Sequence, residues 1–168
     1  MDSLLRALKA DYSRLKFAKG ESFSWSPTTK TVTYKLSEDD RLNTWSLLHE
    51  LAHALLNHKT YHTDFELLLL EVAAWEKAKE LAAEHDADID EGHIQDCIDT
   101  YRDWLHQRSN CPTCGSTSLQ QNSTTYKCFN CNGCWTVTAS RFCRPYRLSS
   151  KQQKTPPEVL KEPQTTFL

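Results

Sequence analysis

Two groups of side chains in this sequence have the types and spacing that hold a metal ion. The first is His49-Glu50-Leu51-Ala52-His53. A helix advances 3.6 residues per turn, so His49 and His53 stand one turn apart on the same face. Two neutral imidazoles there can share a zinc ion, and Glu50 beside the first of them is placed to take a proton from water activated by the metal. Leu48, Leu51, Ala52, Leu55 and Leu56 surround the motif with apolar surface that a solvated helix would not need. The plainer reading is an amphipathic helix with two surface histidines.

A catalytic zinc site takes a third protein ligand and keeps one position open. Glu71 lies within the apolar run LLLLEVAAW, where an acid is costly unless it is paired or bound to metal. The connector from His58 to Thr63 is long enough to reverse the chain, pack two helices antiparallel and bring Glu71 opposite the histidines. His62 is the alternative third ligand. His58, five residues beyond His53, is a less easy one, and Glu66 reads as a first-turn surface residue. If Glu71 binds no metal, it is a buried salt-bridge partner.

The second group is Cys111-Pro-Thr-Cys114 and Cys128-Phe-Asn-Cys131. Two CxxC pairs with a β-prone stretch between them describe a zinc ribbon, in which four thiolates surround a structural zinc. Gly115 eases the turn after the first pair. Exchanging Cys131 for Cys134 would shift the second turn, so Cys134 and Cys143 are read as free thiols and Cys97 as a helix core residue. An odd total of seven Cys and close CxxC spacing argue for metal-bound thiolates, not a disulfide framework.

The elements that must position these groups follow from periodicity. Leu4, Leu5, Leu8, Tyr12 and Leu15 predict an amphipathic helix over 2–18. The alternating TVTYKL from Thr31 predicts a strand, paired with Ser22 to Trp25 as a hairpin. Helices are expected over about 41–57, 64–85 and up to Arg108, the first capped from Ser37 to Asp40. The result is an α+β chain: a small, mainly helical domain over 1–108 with a short N-terminal β-hairpin, a zinc ribbon over 109–148, and a flexible polar tail over 149–168. The net charge of -2 hides an acidic first part and a basic second part. Arg141, Arg144, Arg147, Lys151 and Lys154, interleaved with Phe142 and Tyr146, suit phosphate contacts and stacking, but solvated surface is the favoured reading. Trp135, Val137 and Phe142 are expected to pack the ribbon against the helical domain. No apolar stretch is long enough for a membrane span or an export signal, which places the chain in the cytoplasm.

His49-Glu50-x-x-His53 followed by Glu71-x-x-Ala74 and Ala78 resembles the ImmA/IrrE-like zinc metallopeptidases of the gluzincin type. The similarity covers roughly residues 31–81, with Trp75 where that family usually carries a polar residue. It implies a zincin-like domain in which His49, His53 and Glu71 hold a catalytic zinc and Glu50 is the base. It also implies limited cleavage of a protein partner such as a transcriptional repressor. The SprT-like metallopeptidases, which also join HExxH to a ribbon, are the rival resemblance and imply a downstream His, here His62, as third ligand. The expectation is therefore a zinc endopeptidase with one catalytic and one structural zinc. Tyr61, His62, His85 and His93 are open as the group that stabilises its transition state. The alternatives are a nucleic-acid-associated zinc-ribbon protein and a two-zinc scaffold without peptidase activity.

Overall fold

The computed structural model describes residues 1–138 and the backbone of 147–149. Among the described residues it is a mixed α+β chain with four helices and two small sheets. The chain divides into two compact units, Met1–Thr60 with Leu70–Ile94, and Tyr61–Leu69 with Gln95 onward. The sequence changes character at Asn110, whereas the division by contact falls inside the third and fourth helices. Among the described residues, no helix is long and apolar enough to cross a membrane.

The first unit opens with α1 (Asp2–Asp11), much shorter than the helix expected over 2–18. Tyr12 caps it, and after a turn closed by Leu15 N–H to the Tyr12 carbonyl the chain becomes strand β1 (Lys16–Lys19). The reason is tertiary. β1 pairs in parallel with β3 (Thr31–Tyr34), Phe17 opposite Val32, and these bonds replace the helical ones. β2 (Ser24–Ser26) lies on the other side of β3, antiparallel, with Trp25 opposite Val32, so the expected hairpin is present. Lys30 takes the left-handed φ of 51° in the turn between them.

Helix α2 (Asp40–Leu55) begins where the Asp39 carboxylate accepts the Arg41 and Leu42 N–H groups at 2.9 and 3.1 Å. Buried Asn43 in its first turn is satisfied by Ser37, which donates to Asn43 Oδ1 and accepts from Asn43 Nδ2. The helix packs on β2 and β3 with Leu47, Leu48, Leu51 and Ala52 fully buried. From helix α3 (Asp64–Glu84), this unit's core takes Ala74, Trp75, Ala78 and Leu81.

The second unit holds most of helix α4 (Glu91–Ser109) and an antiparallel sheet of β4 (Leu119–Gln120), β5 (Thr125–Lys127), β6 (Cys134–Val137) and β7 (Arg147–Ser149), in that order. Strand β7 was not expected from the sequence. The sheet's small core is Cys111, Tyr126, Cys128, Trp135 and Val137, with the Tyr126 and Trp135 rings stacked 5.6 Å apart. Arg108 and Asp64 form a buried ion pair, Nε to Oδ2 at 2.5 Å, and the Tyr126 hydroxyl donates to the same carboxylate. Trp135 Nε1 donates to the Arg108 carbonyl, and the Arg108 guanidinium lies over the Trp104 ring. Cys97 is only half-buried. Cys143, Phe142, the side chains of the basic run 141–154 and the tail beyond Ser149 lie outside the described residues.

Candidate metal centres

The HELAH stretch occupies the last turns of α2 and is wholly interior. Exposure is 4 % for His49, 1 % for Glu50 and 0 % for His53, which excludes a wet helix face. Glu71, on α3, is 1 % exposed and comes to the same point. The His49 and His53 Nε2 atoms are 3.1 Å apart, and Glu71 Oε2 is 3.2 Å from the first and 3.7 Å from the second. Despite that approach, neither Glu71 oxygen has an aligned hydrogen-bond partner. We read this as three lone-pair atoms aimed at a common centre in preference to a pair of ion pairs. Ligands about 2.0–2.1 Å from a tetrahedral ion stand roughly 3.3 Å from one another, close to the spacing found. The three residues can therefore hold a metal ion. His62 is exposed, and its backbone N–H donates to Glu66 Oε2. It is not one of the converging residues.

Electrostatics point the same way. Burial lowers the His49 pKa against the opposing pull of Glu71, so the imidazole is neutral and able to ligate. Glu50 sits beside this group with its carboxyl pKa raised well above the usual range, by burial first and then by the Glu71 charge. A hydrogen bond from the Trp25 backbone holds one oxygen, and Glu50 Oε2 is left buried without a partner. Among the described residues, four of the seven buried side-chain atoms lacking a partner belong to His49, Glu50 and Glu71. Each such atom costs about 1–3 kcal/mol, and a bound cation would relieve those on Glu71.

Aromatic rings enclose the histidines. Trp75 stacks on His49 at 4.2 Å, and His93 stands edge-on to Trp75 and 4.8 Å from Trp45. His53 Nδ1 lies 2.8 Å from His58 Nδ1. The His58 carbonyl accepts the Trp25 indole N–H at 2.8 Å, so Trp25 touches both the Glu50 carboxylate and the segment after α2.

The four cysteines of the second group also converge. Cys111 Sγ is 3.5 Å from Cys131 Sγ, and Cys114 Sγ is 3.5 Å from Cys128 Sγ. Ligand sulfurs about 2.3 Å from a tetrahedral ion would stand roughly 3.8 Å apart, so this group too can hold a metal. The two CxxC turns match each other. Gly115 and Asn132, each directly after the second Cys of its pair, have φ of 73° and 57°. The turns differ in the N–H that reaches the first sulfur, Thr113 two residues after Cys111 but Cys131 three residues after Cys128. Hydrogen bonding with Ser116 brings the Cys114 thiol down to about 5. Cys131 is driven up to about 12, since the Gly133 backbone hydrogen bond is outweighed by those it shares with neighbouring thiols. Four sulfurs this close cannot all ionise without a cation among them. Cys134 is not in the group.

Both sets singled out by sequence are thus brought together as His49, His53, Glu71 and as Cys111, Cys114, Cys128, Cys131. Sequence reasoning missed the Trp25 backbone at Glu50, the Trp75 ring on His49 and the contact of His58 with His53. Only the last had a local signal, an Asn-His pair just past a helix end. No family model, curated protein or solved structure matches the chain.

Proposed function

We propose that the chain is a zinc-dependent endopeptidase that cleaves a specific protein partner, with a zincin-like catalytic unit and a C-terminal zinc ribbon. The observation that carries this reading is the meeting of His49 Nε2, His53 Nε2 and Glu71 Oε2 beside a buried carboxylate, Glu50, that is not one of the three. Two imidazoles and one carboxylate are the donor set of catalytic zinc sites, whereas four thiolates suit a structural zinc. Bound there, zinc supplies Lewis acidity toward water and a peptide carbonyl.

The protein's own groups would do the rest. Glu50 takes the proton of the attacking water and returns it to the departing amine, a task helped by the burial that raises the carboxyl's affinity for a proton. The Trp25 backbone fixes that carboxylate through one oxygen and leaves the other available. Trp75, stacked on His49, limits water on that side and holds the ring in place. The resemblance of the HELAH and Glu71-x-x-Ala74 segments to ImmA/IrrE-like enzymes supports a repressor-like protein as substrate.

The test compares the wild-type chain with Glu50→Gln in native host cells by sequencing newly formed protein N-termini. Glu50→Gln should keep its metal and fold while cleavage falls by about 10²–10⁴-fold. The expected result is one or a few N-termini that depend on Glu50. Identical sets of N-termini for the two proteins would overturn the reading.

A further inference from the structure

Helix α2 ends in a way that brings a third histidine, His58, against the metal group. Leu56 is its C-cap, and Asn57 follows with φ of 55°, the left-handed conformation that Asn tolerates better than most residues. The Asn57 N–H bonds the Ala54 carbonyl at 3.1 Å, and the His58 N–H bonds the His53 carbonyl at 3.0 Å. This pair of bonds is a Schellman motif. Its geometry places the side chain two residues past the cap against the side chain one turn back, and that contact is ordinarily apolar. Here the two residues are His58 and His53, and their Nδ1 atoms meet at 2.8 Å. Both rings are buried, 8 % and 0 % exposed, and stand at 70° to one another.

Two nitrogens at that distance share one hydrogen, and the other end of His53 decides which of them carries it. His53 Nε2 is the atom facing His49 Nε2 and Glu71 Oε2. An imidazole that offers Nε2 as a lone pair must carry its hydrogen on Nδ1. We infer that His58 is a positioning residue for the metal centre: its Nδ1 accepts the His53 Nδ1–H and so fixes the tautomer and ring angle in which His53 Nε2 ligates. His58 is then neither a ligand nor a bystander. The role is one that metal sites usually give to a carboxylate or a backbone carbonyl. An imidazole acceptor brings no charge into a site that already holds Glu71 and Glu50. The inference rests on the reading of His49, His53 and Glu71 as metal ligands.

The test uses the full chain with its thiolate site saturated by zinc, and measures zinc affinity at the second site by chelator competition. His58→Leu fills the space but accepts no hydrogen, and should weaken binding by about 10–100-fold. His58→Gln restores an acceptor and should recover most of that loss. Asn57→Val keeps His58 but opposes the left-handed turn that aims it, and should resemble His58→Leu, whereas Asn57→Gly should bind as the wild type does. In the zinc-loaded wild type, nitrogen NMR should show coupling across the hydrogen bond from His53 Nδ1 to His58 Nδ1. Wild-type affinity in a folded His58→Leu protein, or metal on Nδ1 of His53, would overturn this inference alone. A chain that takes up no second zinc would overturn it together with the metal reading.

Discussion

At the scale of residues, each ligand can be tested without knowledge of a substrate, because metal content reports on it directly. The wild-type chain should hold two zinc ions, one in each converging group. His53→Ala or Glu71→Ala should reduce this to one, since each removes a donor from a three-donor site. His62→Ala should leave two, its side chain being exposed and outside the group. In the thiolate group, Cys131→Ser should release its metal and Cys134→Ser should not. Elemental analysis of the five purified variants checks these outcomes. Metal loss from Cys134→Ser with retention in Cys131→Ser would reverse the ligand assignment.

At the scale of elements, one buried ion pair ties α3 to α4 within the second unit. Asp64 opens α3 and Arg108 lies in the last turn of α4, both at most 3 % exposed. The Asp64 carboxylate takes the guanidinium and the Tyr126 hydroxyl, while the Asp64 N–H donates to Gln120. Arg108 also donates to the Thr138 and Ser123 carbonyls. Removing one partner leaves a buried charge uncompensated, so Arg108→Met should cost about 3–5 kcal/mol in denaturant unfolding. Adding Asp64→Leu to it should recover part of that loss, because the stranded charge goes with it. A double variant weaker than the sum of the two singles would show that the pair is not the main connection.

At the scale of the whole molecule, the two groups that can hold a metal should have unequal structural duties. The first unit keeps an apolar core apart from its ligands, including Leu8, Val32, Leu47, Leu48 and Leu81, all fully buried. The sheet of the second unit has a core of five residues, two of which are the thiols Cys111 and Cys128. So small a core does not offset the cost of ordering the chain without its metal. Exhaustive chelation of the intact chain should therefore raise amide exchange across β4 to β6 while β2, β3 and α2 stay protected. Hydrogen-exchange mass spectrometry reads this segment by segment. Equal loss of protection in the two sheets would contradict it.

What the sequence by itself determined is whatever a short stretch of chain dictates. Helical period puts His49 and His53 on one face, CxxC spacing makes two turns that can hold a metal, alternation marks the β2–β3 hairpin, and apolar periodicity bounds α3 to within a residue, α2 to within two, and the end of α4 but not its start. Tertiary structure decided what depends on a distant partner. Residues 12–18 carry a helical pattern, yet β1 forms because the open edge of β3 offers it parallel hydrogen bonds. Strand β7 likewise follows from the free edge of β6. Both Glu71 and His62 were chemically eligible to complete the site, and only packing brings an oxygen of Glu71 to the two imidazoles. The Trp25 backbone at Glu50 was invisible because any residue type presents the same N–H. Local pattern fixes which atoms a segment can offer, and the close approach of segments far apart in the chain settles which of them meet.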